Sequence, residues 1–138
     1  MTSRLNPYLS FENNAREAME FYQDVFGGTL RMNTFGEYGD KTAPEANNIM
    51  HAQLTTAGGM ALMGADIPPG MPSADKTGNV AVSLSGEDDA ELRGYWKKLS
   101  DGGTVSVPLE KQMWGDVFGM CVDRFGTSWM VNIGEQQA

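Results

Sequence analysis

The chain is poor in the side chains that do most covalent and metal chemistry, with one cysteine, Cys121, and one histidine, His51, in 138 residues. A single cysteine excludes an intrachain disulfide. A single histidine excludes a two-histidine, one-carboxylate metal triad within one subunit. Cations are scarce too: ten Lys and Arg against eighteen Asp and Glu leave a formal charge of −8. That balance opposes approach to phosphate backbones and anionic lipid, so no nucleic acid and no membrane partner is expected. No apolar run approaches the length of a membrane span, because Gly, Pro or charge interrupts each one. Nor does a basic N-terminus lead into an apolar run as in a signal peptide, so the expected location is cytoplasmic.

What remains is ordinary globular material: 41% hydrophobic and 20% charged residues, with 17 Gly that imply many tight turns. The length suits one domain and is too short for two independent domains of ordinary size. Within it the chain repeats itself. Phe21-Tyr22 followed by Gly27-Gly28-Thr29-Leu30 returns as Tyr95-Trp96 followed by Gly102-Gly103-Thr104-Val105, and Gly59 to Met63 returns as Gly126 to Met130. The second offset is shorter than the first, so copy one carries an insertion, the polar and Gly-rich residues near Gly36 to Asn48.

Each copy reads strand, helix, then three strands. In copy one Leu5 to Phe11 alternates, Asn14 and Glu17 have capping-box spacing, and Ala15, Ala18, Met19, Tyr22, Val25 and Phe26 form one apolar stripe ended by Gly27. In copy two Val80, Val82 and Leu84 alternate, Asp88 and Glu91 take the capping positions, and Leu92, Tyr95, Trp96 and Leu99 form the stripe before Gly102. Gly58-Gly59 and Asp123 to Gly126 are hairpin signals. The expected layout is one domain over 1–138, with a first βαβββ unit over 1–67, a Pro-rich linker over 68–76 and a second unit over 77–138.

In this order the motifs resemble the vicinal oxygen chelate superfamily of glyoxalases, extradiol dioxygenases and bleomycin-resistance proteins, and within it the PhnB-like branch. The resemblance is carried by Asn6 to Phe11, Ala18 to Tyr22, Phe26-Gly27-Gly28, Met50-His51-Ala52, Leu62 to Asp66, Trp114 to Gly119 and Asp123 to Asn132. It implies an α+β fold in which tandem βαβββ units form a cupped mixed sheet, with helices on the outer face and ligands or metals inside. It also implies a homodimer. Fold alone does not settle function.

Metal-using relatives resemble one another in a His or its equivalent on the first strand of each unit and a Glu on the last. Those positions fall here on Asn6, Asn79, Met63 and Met130. Neutral amides and thioethers do not offset the charge and lost hydration of a Zn, Ni, Fe or Mn dication. The expectation is therefore no metal and no other cofactor, and with one histidine extradiol dioxygenase chemistry is disfavoured.

His51 lies early in an expected strand, Ile49 to Ala57, with Ile49 and Gln53 on its face by simple alternation. Imidazole suits general base catalysis, so His51 is the catalytic candidate. A histidine bonded to a neighbouring strand for packing alone fits the same pattern. Asp66, Glu37 and Asp40 are its possible acidic partners, although each also suits a turn. Cys121 sits between Met120 and Val122 without a basic activator, which reads as packing. Trp129, Trp96 and Tyr95 also read as core. Tyr8, Gln53, Met63, Phe118 and Met130, with Asn6 and Asn79 as polar anchors, are candidates for ligand contact. Trp114, beside Gly115 in a loop, is a candidate for the mouth.

Two functional readings follow. One is a small-molecule binder without metal. The other is an enzyme of glyoxalase or isomerase type that takes a proton next to a carbonyl, using His51 or a metal shared across a dimer. A third, a packed scaffold domain, needs no ligand. The PhnB-like label has been attached to phosphonate metabolism and to ubiquinone methylation, but no glycine-rich nucleotide loop is present for a methyl donor.

Overall fold

The computed structural model describes residues 3–71 and 79–134. The chain divides into two compact units, Met1–Asp75 and Lys76–Ala138. The first runs β1 (Tyr8–Phe11), α1 (Ala15–Phe26), β2 (Thr29–Thr34), a single turn α2 (Phe35–Tyr38), β3 (Ile49–Thr55) and β4 (Ala61–Asp66). Its sheet has the order β1-β4-β3-β2, with β1 parallel to β4 and the other pairs antiparallel. The second unit repeats this as β5 (Val82–Gly86), α3 (Asp89–Ser100), β6 (Thr104–Lys111), β7 (Val117–Val122) and β8 (Ser128–Ile133), in the order β5-β8-β7-β6. The fold class is α+β, and the repeat in sequence is a repeat in structure. Of the expected linker over 68–76, residues 68–71 form a turn, Met71 N–H to Pro68 C=O at 3.2 Å, and residues 72–76 lie outside the described residues.

One face of each sheet is closed by its helix. In the first unit Ala15, Ala18, Met19, Tyr22 and Val25 of α1 are buried against Phe11, Ala52, Leu54 and Leu62. Each of the larger side chains, such as Met19, Phe11 and Leu54, contributes about 1.5–3 kcal/mol. Gly64 lies under the helix, where a Cβ would stand 3.2 Å from both Met19 Sδ and Phe11 Cε2. In the second unit Gly119 has the same task, with a Cβ there meeting Trp96 Cη2 at 2.9 Å. Trp129 and Cys121 are buried beside it. Among the described residues no helix is long and apolar enough to cross a membrane.

The Gly-Gly pairs have a divided role in both units. Gly27 (φ 73°) and Gly102 (φ 78°) turn the chain out of the helix through a region that side chains rarely adopt. Gly28 and Gly103 then pass so close to the third-strand hairpin that a Cβ would strike the carbonyl oxygens of Thr55 and Val122.

Several expectations need correction. Asn14 makes no side-chain cap bond, and the cap of α1 comes instead from Asp66, whose Oδ1 accepts the Ala15 N–H at 2.9 Å. Asp88 does cap α3, accepting the Glu91 N–H at 3.0 Å, but the Glu91 carboxylate accepts the Tyr95 hydroxyl at 2.6 Å and does not return to the cap. The opening strands are shorter than their alternation suggests. Asn6 precedes β1, Asn79 precedes β5, and Val80 is 80% exposed.

Candidate functional site

On the face of the first sheet opposite α1, strand register aligns four side chains. Tyr8 pairs with Met63, Met63 with Gln53 and Gln53 with Arg31. One pleat away, His51 pairs with Asn33. His51 shares this face with Gln53 by alternation along β3, and a β-bulge turns Ile49 to the other side. Asn33 pairs with His51 and Thr34 with Ile49, which leaves Met50 as the extra residue on β3. Ile49 is therefore fully buried while His51 is half-buried and borders open space, which corrects the expectation that the two share a face. The Ile49 N–H donates to Asp66 Oδ2 at 2.8 Å, so the carboxylate that caps α1 also pins the start of β3.

That role settles Asp66. It is 3% exposed, and its two oxygens accept the backbone N–H groups of Ala15 and Ile49, so it is a structural carboxylate and not the acidic partner of His51. Asp40 is spent in its own turn: the hydroxyl and N–H of Thr42 donate to it and hold its carboxyl below the usual range. Glu37 accepts from Asn33 Nδ2 at 3.1 Å, and so reaches the cross-strand neighbour of His51 but not the imidazole.

The partner of His51 is Tyr8. The phenol oxygen lies 3.1 Å from His51 Nδ1, with ring centroids 5.7 Å apart and planes tilted by 30°. Burial pushes the Tyr8 pKa up, which keeps the phenol in its O–H form at neutral pH. This pair stands between two cavities. A groove of about 660 Å³ is lined by Thr29, Arg31, Asn33, His51, Gln53 and Thr55 among others. A second pocket, about 350 Å³, is lined by Tyr8 with Phe35, Met50, Ala65, Ile67 and Met71 among others. Of the expected contacts in this unit, the structure brings Tyr8, His51, Gln53 and Met63 to one face and leaves Asn6 ahead of the strand. Arg31 and Asn33 were missed, although Thr29-Leu30-Arg31-Met32-Asn33 alternates polar and apolar and could have placed them on it.

In the second unit Met130 pairs with Ser83 and Met120, and Phe118 pairs with Asn132. Asn132 Nδ2 donates to Asp116 Oδ2 at 3.0 Å. Trp114 is 63% exposed on the turn before Gly115 (φ 103°), its ring centroid 6.3 Å from that of Phe118. Asn79 is exposed. Cys121 is buried, and burial followed by the nearby Asp123 charge pushes its thiol up to about 11, which leaves it inert at neutral pH.

A metal of the kind used elsewhere in the superfamily does not fit these residues. The strand neighbours of Met63 are a phenol and an amide, those of Met130 a hydroxyl and a second thioether. Among the described residues no three His, Cys, Asp or Glu side chains come together. A hard dication needs imidazole nitrogen or carboxylate oxygen, and neither row supplies it.

A mixed βαβββ unit used twice, each sheet closed on one face by its helix, defines a protein of the glyoxalase/bleomycin-resistance fold, in the vicinal oxygen chelate superfamily and its PhnB-like branch. The chain belongs to the family described as 3-demethylubiquinone-9 3-methyltransferase, whose model matches residues 3–132. It is 30% identical to protein YjdN of Escherichia coli K12, over 96% of this chain and 97% of that one. Protein PA1353 of Pseudomonas aeruginosa is similar at 37% identity and a TM-score of 0.86, covering 98% of this chain and all of the other. A PhnB protein of Bacillus cereus (22% identity, TM-score 0.73, 96% of this chain and 100% of that one) shares the fold. So does a glyoxylase/bleomycin resistance protein/dioxygenase domain from Frankia (13%, TM-score 0.68, 100% and 96%).

Proposed function

We propose that this chain binds a small organic molecule on the open face of its first sheet and does so without the metal used elsewhere in the superfamily. The observation that carries this reading is the Tyr8–His51 hydrogen bond set between a polar groove and an apolar pocket. Convergent polar groups beside apolar walls, in cavities of a few hundred Å³, are what small-molecule sites require. Met63 lies in the same row; within the second unit Trp114, Phe118 and Met130 are proposed as ligand-contact residues in their own right. The donor chemistry at Met63 and Met130 supports metal independence.

A second reading is favoured by the same hydrogen bond. If Nδ1–H donates to the phenol oxygen, Nε2 keeps a lone pair and His51 serves as a base for glyoxalase- or isomerase-type proton abstraction. Methyl transfer, which the family's description names, is no part of either reading, since the chain has no glycine-rich nucleotide loop. The proposed setting is the cytosol, where a lone thiol stays reduced. The proposed protein partner is a second copy, since four-stranded sheets end in edge strands that association can cover.

Elemental analysis of protein purified without chelator, with melting curves in EDTA and in added Ni, Zn, Fe or Mn, tests metal independence. A stoichiometric ion, or stabilisation by one of these metals, overturns it. A fragment screen read by thermal shift tests binding, since a ligand that prefers the native state raises apparent stability. Turnover of any hit that disappears in His51→Ala selects the second reading.

A further inference from the structure

We infer that the ligand is an amphipathic organic carboxylate, its anionic head held in the groove by Arg31 and His51 and its apolar body seated in the pocket beyond Tyr8. This rests on the ligand-binding reading above. In a chain of net charge −8, the one formally charged residue lining the groove is a cation, Arg31. Among the described residues its guanidinium has no hydrogen-bond or ion-pair acceptor. An unpaired guanidinium presents a planar fork of donors that matches a carboxylate.

The neutral groups around it agree with this charge. Gln53, its cross-strand neighbour, presents an amide. Asn33 shares the strand face and donates to Glu37 at 3.1 Å. His51 completes the set in one tautomer. When Nδ1 accepts from the Tyr8 hydroxyl, Nε2 carries the proton and donates to the groove. A bound anion selects that tautomer, and a bound cation selects against it. A single guanidinium beside neutral donors suits a monoanion better than a dianion, which the acidic chain as a whole repels more strongly.

The apolar half of the assignment comes from the second cavity. Tyr8 lines the pocket and His51 lines the groove, so their hydrogen bond makes the two spaces neighbours. Phe35, Met50, Ala65, Ile67, Pro68 and Met71 give that pocket mostly apolar walls; Ser10 and Asp66 also border it, the Asp66 oxygens being taken by the N–H groups of Ala15 and Ile49. A molecule with its charge at one end and hydrocarbon at the other spans both.

Because His51 is the only histidine, its ring nitrogens give an unambiguous signal in a uniformly ¹⁵N-labelled protein. The probes are 3-phenylpropanoate, its neutral amide 3-phenylpropanamide, and inorganic phosphate. The carboxylate is expected to shift the His51 resonances saturably and to fix the Nε2–H tautomer, with the amide weaker by about tenfold or more. Arg31→Gln, an exposed substitution, is expected to erase that difference, and Phe35→Ala to weaken carboxylate and amide alike. Equal binding of carboxylate and amide overturns the anionic head while leaving the binding reading intact. Phosphate binding as tightly as the carboxylate overturns the apolar half. Silence of His51 toward all three overturns the inference, and if it is also silent toward a panel of neutral and cationic fragments, the binding reading falls too.

Discussion

Asp66 Oδ1 accepts the backbone N–H of Ala15 at 2.9 Å, tying the last residue of β4 to the first of α1. The other oxygen holds the Ile49 N–H at 2.8 Å. One buried carboxylate thus fixes the start of a helix and the start of the strand that carries His51. Removing it leaves two buried donors without acceptors, each costing about 1–3 kcal/mol. Asp66→Ala is expected to lower stability by about 3–5 kcal/mol in urea unfolding. Asn14→Ala, at the apparent cap, is expected to change it by less than about 0.5 kcal/mol.

The two Gly-Gly pairs predict an asymmetry among glycines. Gly28→Ala meets both a positive φ of 92° and the Thr55 carbonyl, and Gly103→Ala meets the Val122 carbonyl, so each requires backbone movement. Losses of about 3 kcal/mol or more are expected at both. Gly94, inside α3 with nothing within 4 Å of its Cβ position, is the control. Gly94→Ala is expected to gain about 0.5–1 kcal/mol. Chemical denaturation of the three variants side by side measures this.

Stability should fall as pH rises above 9; Cys121 and Tyr95 give the decline its main intervals, and Tyr8, also raised by burial, adds to it above pH 10. Cys121 has its thiol pushed from 9.0 up to about 11 by burial and then by Asp123. Tyr95 has its phenol pushed from 10.0 up to about 12, by burial first and then by the hydrogen bond to Glu91. Both pKa values are raised on folding, so between the unfolded and folded values the native state keeps a proton that the unfolded chain has lost. The stabilisation is therefore whole below pH 9 and declines to pH 11 for Cys121, and from pH 10 to 12 for Tyr95. Cys121→Ala should flatten the first interval and Tyr95→Phe the second. At pH 8 the native thiol should resist iodoacetamide, being about one part in a thousand thiolate.

Much of the fold was legible because its signals are local. The duplicated Gly-Gly-Thr marks a helix exit and a close strand approach twice over, and the apolar stripe from Ala15 to Val25 is buried as its spacing implies. The features around His51 were not all local. Alternation pairs its face with Gln53, but the burial of Ile49 on the opposite side needs the bulge at Met50, which simple alternation hides. The cap of α1 comes from Asp66, 51 residues away in sequence, while Asn14 stands in the position that local rules favour. Alternation also ran on into coil, which put Asn6 and Asn79 on strands that begin only at Tyr8 and Val82. Tyr8 was visible as an aromatic, but its hydrogen bond to a residue 43 positions on was not.

That hydrogen bond supports the last prediction. Tyr8 is about half exposed and the bond lies at the surface, so Tyr8→Phe should cost no more than about 1 kcal/mol of stability. Its effect on the imidazole should be larger than its effect on folding. Without the phenol, Nδ1 has only water to accept from, and the preference between the two ring tautomers relaxes toward that of free imidazole. In ¹⁵N spectra the His51 ring signals of the wild type should report a single dominant tautomer, and those of Tyr8→Phe a mixture. Wild-type spectra already showing that mixture would mean that the phenol does not orient the ring, and His51 would then be neither an oriented donor nor an oriented base.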